Sequence, residues 1–242
     1  MPDRLLDRQA KLLEHLTSAA AIFGTGNGAS IERALPGINV ALLHLEARFS
    51  HEKRMQKIEW VLPSTIGLLG SAKADVVHDF VKACPPVSIS RIENARQFHD
   101  FLSARWLVAA AEPPYLPDVA ACELAYATVR DGATPAFEAT EHAAAGAIRR
   151  RPNVILLRCS YDVRSVLEGR VGDVVVTERD TPLAVSMPDR AQYPTVSELS
   201  PELFGLLEMF DDDLDLEALP DLPEVRELIA ELTRRGLLEL RR

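Results

Sequence analysis

The residues best suited to chemistry in this chain are six histidines and three cysteines. The histidines are His15, His44, His51, His78, His99 and His142; the cysteines are Cys84, Cys122 and Cys159. Zinc-hydrolase chemistry needs two histidines one helical turn apart with a glutamate between them, and no pair here has that spacing. His44 and His51 are seven residues apart, so they share a helix face, which by itself describes surface or partly buried histidines. No Gly-x-Ser-x-Gly elbow is present, and no Cys–His spacing points to an activated nucleophile. Gly24, Gly26 and Gly28 invite a phosphate-loop reading. Such a loop closes on Gly-Lys-Ser/Thr, whereas Ala29-Ser30-Ile31 follows here, and a helical pattern rather than a strand precedes it. These glycines are expected to form a helix–helix loop. Asp211, Asp212, Asp213 and Asp215 could attract a cation but lack the spacing and glycine of a calcium loop. The expectation is a chain with no catalytic residue, no metal site and no cofactor of its own.

The elements that hold these residues divide the chain. Its 242 residues are 47% hydrophobic, enough for two small cores, and its formal net charge is -9. Acidic balance argues against a protein that grips phosphate backbones. Three widely spaced cysteines without a CxxC indicate reduced thiols and a cytoplasmic setting. The N-terminus has no secretory pattern, and no apolar run reaches membrane-spanning length, so no membrane association is expected. Residues 1 to 130 read as helices. A long one over Ala41 to Leu62 has Leu42, Leu45, Phe49, Met55, Ile58 and Leu62 as its expected core. Others cover Ala72 to Ala83, stopped by Cys84-Pro85-Pro86, then Asn94 to Ala104 and Leu116 to Val129. Asp131 to Pro135 reads as a linker. A short helix over Ala143 to Arg150 and strands at Val154 to Arg158, Asp173 to Thr177 and Pro182 to Met187 follow.

The last forty residues have the pattern of a small winged helix. Ser200-Pro201-Glu202 is a helix start, with Leu203, Leu206, Leu207 and Phe210 on one face. A second helix begins near Pro223 and carries Val225, Leu228, Ile229 and Leu232; Gly236 ends it, and Leu237 to Leu240 continue as a strand. The expected fold class is therefore α+β. A helical domain spans residues 1–133, and a winged-helix-like domain of about three strands and three helices spans 134–242.

Several elements occur in an order that resembles a known family. They are Leu68-Leu69-Gly70, Val77 to Phe80, Cys84-Pro85-Pro86-Val87-Ser88, Phe98-His99-Asp100-Phe101-Leu102 and Pro114-Tyr115-Leu116-Pro117-Asp118-Val119-Ala120, with Glu123 beyond. Over about Lys53 to Val129 the chain resembles the helical domain first labelled a DNA-binding domain. Its members are partners of multinuclear non-haem iron-dependent oxidative enzymes acting on cysteine-containing ribosomal peptides, as in methanobactin, 3-thiaglutamate and bufferin pathways. The family usually has His-Pro-Pro where this chain has Cys84-Pro85-Pro86. Thr181 to Leu240 is similar, more loosely, to PqqD-like leader-recognition elements.

The resemblance implies a non-catalytic subunit forming a heterodimer with an iron-dependent oxidative enzyme, the iron belonging to that enzyme. Pro85, Pro86, Phe98, Phe101, Tyr115, Leu116 and Asp118 would dock the partner. A precursor peptide's leader would add as a strand along Pro182, Leu183, Ala184, Val185, Ser186 and Met187, beside a wall made by Leu228, Glu231, Leu232 and Arg235. The alternation should put Leu183, Val185 and Met187 on one face of that strand and Ala184 and Ser186 on the other. The rival expectation is a transcription regulator whose last helix enters DNA through Arg226, Arg234 and Arg235. Glu224, Glu227 and Glu231 on that helix oppose it.

Overall fold

The computed structural model describes residues 2–26, 28–132, 147–169, 176–188, 191–210, 214–215 and 222–240. The chain is α+β, and its contacts divide it into two compact units, Met1–Ala110 and Ala111–Arg242.

The first unit is helical. It contains α1 (Pro2–Thr17), α2 (Ala19–Ile22), α3 (Gly28–Ala34), α4 (Val40–Val61), α5 (Pro63–Leu68), α6 (Lys73–Ala83) and α7 (Arg91–Trp106). The glycine cluster joins α2 to α3 as a helix–helix loop, with Gly24 at φ 69°. Side chains cap the longer helices: Asn39 accepts from Leu42 N–H at 3.1 Å, and Ser90 accepts from Glu93 N–H at 3.4 Å.

The buried stripe of α4 is the expected one only toward its C-terminal end, where Ile58 and the following Leu62 are fully buried. Leu42, Leu45 and Phe49 are exposed, whereas Leu43, Ala47, Arg54, Ile58 and Val61 face inward. The helix is apolar on more than one side, so periodicity alone did not single out the inner face. Phe80 and Phe98 are fully buried and meet edge to face with ring centroids 4.9 Å apart.

The second unit contains α8 (Leu116–Arg130), β1 (Ala147–Arg150), β2 (Ile155–Tyr161), α9 (Arg164–Leu167), β3 (Glu178–Ser186), β4 (Thr195–Glu198), α10 (Pro201–Met209), β5 (Leu214–Asp215), α11 (Pro223–Arg234) and β6 (Leu238–Leu240). One antiparallel sheet has the order β2-β3-β4, the other β5-β1-β6. The first contains β3, whose alternation is as expected but whose two faces are both covered. Val185 packs with Ala125 and Val129 of α8, while Ala184 joins Ile148, Phe204, Leu207, Leu232 and Leu238 in a core under α10 and α11. Because α8 covers this sheet, it belongs to the second unit, whereas composition had placed the division near residue 133.

Ala147–Arg150 is strand, not the tail of a helix: Arg149 stands opposite Glu239 in β6 and pairs with it. Residues 143–146, 173–175 and 211–213, parts of the expected short helix, strand and acidic stop, lie outside the described residues. Ser200 caps α10 by accepting from Leu203 N–H at 3.2 Å. Gly236 ends α11 at φ 72°, and Leu237 N–H reaches back to Leu232 O at 2.9 Å.

Candidate functional site

The strand expected to take a peptide cannot do so. Pro182–Ser186 of β3 is paired on both sides, to β2 through Ile155↔Val185 and to β4 through Ala184↔Ser197. Leu183, Ala184, Val185 and Ser186 are buried, and every ladder position at these residues already has a neighbour. A third strand has no edge to join. Met187, just past the strand, is half-buried against the α8 side of the core.

The open edge lies one strand further on. Among the described residues β4 pairs only with β3. Leu199 N–H donates to Pro182 O at 2.9 Å, which fixes the ladder phase. Counting back by twos, the backbone groups of Ser197 and Thr195 point toward β3, and those of Val196 and Glu198 point outward. Thr195, Ser197 and Glu198 are exposed. Four residues of β-branched and polar type after Pro194 carried a faint strand signal, too short to stand out from the surrounding loop.

A closed set of ion pairs stands at the end of this edge. Arg164 reaches Asp162 at 2.7 Å and Glu198 at 2.6 Å; Arg179 reaches Asp162 at 2.7 Å and Glu198 at 2.6 Å. The Arg164 guanidinium hydrogen-bonded to Asp162, helped by Arg179, holds that carboxyl below the usual range. Glu198 is lowered mainly by its hydrogen bond from Arg179. These arginines hold β3, β4 and the turn after β2 in register and leave no net charge among the four.

The expected groove wall on α11 is reduced in part to core. Leu232 is buried, while Leu228 is exposed. Glu231 pairs with both Arg234 and Arg235, so the two arginines assigned to a DNA backbone share an internal carboxylate.

Of the expected docking residues, Phe98 and Leu116 are buried core and present no surface. Their spacing reads the same for a core residue as for a contact residue. Phe101 is half-buried against Phe80, and Pro85 and Pro86 are exposed. Asp118 accepts the Tyr161 N–H at 2.9 Å, tying α8 to β2, and burial raises its carboxyl pKa. Tyr115 meets Tyr161 edge to face. Asp118 and Tyr115 are thus occupied within the second unit.

His15 and His44 stack with centroids 5.7 Å apart, and Phe23 lies against both His51 and His78. No group of three or more His, Cys, Asp or Glu is placed to hold a metal ion among the described residues. Cys122 and Cys159 are buried, with sulfurs 3.8 Å apart between α8 and β2. This contact with Cys159, and then burial, raise the Cys122 thiol.

No family model matches the chain, and no curated protein matches it. No helix among the described residues is long and apolar enough to cross a membrane.

Proposed function

We propose that the chain is a non-catalytic partner subunit. In this reading it captures the leader of a ribosomally made precursor peptide and presents it to an iron-dependent oxidative enzyme that modifies cysteine residues. The observation that carries peptide capture is the outward-facing backbone of Val196 and Glu198 on β4, unpaired among the described residues and fixed in direction by the β3 ladder. An extended peptide pairing there gains main-chain hydrogen bonds, and its alternate side chains meet Val196 and the exposed end of the sheet. The second unit is read as a winged-helix recognition domain in which α10, α11 and β6 back the three-stranded sheet.

Enzyme docking falls to the helical unit. Leu42, Leu45 and Phe49 form an exposed apolar stripe at i, i+3, i+7 on α4, and Pro85 and Pro86 are exposed in the segment after α6. The identity of the enzyme rests on the resemblance carried by Cys84 to Glu123.

Co-expression with the iron enzyme and gel filtration test the heterodimer: one co-eluting peak is expected, and two separate peaks at micromolar concentration would reject it. Val196→Pro tests the edge. It removes an outward donor without touching the β3 ladder, so leader binding should weaken by about 1–3 kcal/mol with the fold intact. Ser197→Pro removes a ladder donor and should destabilise the sheet instead. A folded Val196→Pro protein that binds leader as tightly as wild type rejects this edge.

A further inference from the structure

The helical unit carries a groove of about 470 Å³ that none of this uses. It runs between α4, the α1–α2 region and the segment Pro86–Ile89, and three of its lining side chains are cations: Lys53, Arg54 and Lys57. No carboxylate lines it among the described residues, although the chain as a whole carries a net charge of -9.

Arg54 is the unusual member. It is 8% exposed, yet its partners are all neutral. Its guanidinium donates to Asn94 Oδ1 at 3.0 Å, to the Cys84 carbonyl at 2.8 Å and to Gln97 Oε1 at 2.6 Å, and it lies 4.4 Å from the centre of the Phe80 ring. These bonds fix the group without cancelling its charge. Burial lowers its pKa to about 10, as expected for a cation held away from water without an anion. Lys57 donates to the Ile89 carbonyl at 2.7 Å, again a neutral partner. Lys53 is exposed and has no ion-pair partner among the described residues. The Nδ1 atom of His51, which also lines the groove, is buried without a hydrogen-bond partner.

The opposite wall is a loop between α6 and α7 whose backbone is fixed by side chains. Arg54, Gln97, Asn94 and Lys57 take the carbonyls of Cys84, Pro85, Ser88 and Ile89 respectively. Val87 between them has no hydrogen bond from its own N–H or C=O among the described residues, and its side chain is 77% exposed. The two prolines keep this segment out of any helix. The carbonyl clamps therefore fix this irregular segment and leave the Val87 backbone groups free among the described residues.

We infer that this groove is a binding site for an extended, acidic peptide segment of a partner chain. A carboxylate side chain sits against Lys53, Lys57 and the His51 ring, an apolar neighbour covers Leu16 and Val87, and the backbone pairs with the free Val87 backbone groups. Charge complementarity selects the occupant. A groove of positive charge with apolar walls on an acidic protein attracts acidic segments while the rest of the surface repels them. Its volume lies within the range of pockets that hold several side chains rather than one inorganic ion. The inference is independent of the β4 edge and stands if that reading fails.

The test uses the full chain and a labelled, capped heptapeptide of alternating Glu and Leu, followed by fluorescence anisotropy. The control peptide alternates Lys and Leu. Saturable binding of the acidic peptide is expected, weakening as salt rises. Lys53→Glu, which disturbs no contact, should weaken it about tenfold. Lys82→Glu, an exposed change in α6 outside the groove, should stay within about twofold of wild type. Val196→Pro should leave it unchanged, which separates this site from the sheet edge. Any of three results overturns the proposal: no saturable signal up to about 1 mM peptide, equal binding of the basic peptide, or equal effects of Lys53→Glu and Lys82→Glu.

Discussion

The two units hold their buried arginines, Arg54 and Arg149, in opposite ways. In the sheet unit, Arg164 and Arg179 face Asp162 and Glu198 in a closed set, and Arg149 faces Glu239 across the β1–β6 ladder. In the helical unit, Arg54 is buried against an amide, a carbonyl, another amide and a ring, and no acid neutralises it. Charge in the sheet unit is used up in holding strands together. At Arg54 charge is positioned and left over, although Arg96 and Arg105 of the same unit pair with Glu93 and Asp79 nearer the surface. A chain can thus be acidic overall and still offer a cationic site. Net charge of -9 is a poor guide to what a particular surface attracts.

The comparison breaks most readily at Arg54. Arg54→Met keeps the volume but strips the donor from Asn94, Gln97 and the Cys84 carbonyl at once. We expect a stability loss of about 3 kcal/mol in urea denaturation, because buried acceptors are left unmet. A loss under about 1 kcal/mol would show that water replaces the guanidinium freely and that the group is less buried than its geometry indicates.

In the sheet unit the corresponding change should cost less. Asp162→Asn weakens two partly exposed ion pairs, and exposed pairs contribute about 1 kcal/mol or less. The sign of its pH dependence follows from the depressed carboxyl. Asp162 titrates lower in the folded state than in the unfolded chain, so its contribution is present above the unfolded value of about 4 and is lost as pH falls below it. Wild-type stability should drop on acidification through that window more than that of Asp162→Asn. Equal slopes would mean that the arginines hold the register without their acid. A loss matching that of Arg54→Met would erase the distinction between the units.

The smallest effect is in thiol chemistry. Cys122 and Cys159 are buried against each other in the sheet unit, and Cys84 is half-buried in the helical one. Burial raises the Cys84 thiol, and nearby Arg54 partly offsets it. Alkylation of the native protein at neutral pH should therefore mark Cys84 first, with Cys122 and Cys159 reacting only on unfolding. Intact-mass measurement over time checks the order. Early labelling of Cys159 would show that α8 separates readily from β2.

Many helix boundaries in both units were legible in the sequence because caps and stops are local. Cys84-Pro85-Pro86 ends α6, and Pro201 and Pro223 open α10 and α11, for reasons carried within a few residues. The facing of α4 was not legible. Leu42, Leu45 and Phe49 match a helical stripe as well as the residues that are buried, and the choice is made by α1, α2 and α7, which are distant in sequence. The same limit applies to β3. Its alternation was readable, but whether it is central or at an edge depends on β4, a four-residue strand with weak local propensity. Arg54 was invisible as a site residue, because its partners come from positions 30 to 43 residues away.

Amide hydrogen exchange along β4, with and without the precursor peptide, addresses peptide capture directly. If the leader adds to this edge, the Val196 and Glu198 amides slow markedly on binding. Those of Ser197 and Leu183, already bonded within the sheet, change little. Bound peptide that leaves Val196 and Glu198 exchanging as fast as in the free protein would contradict the account.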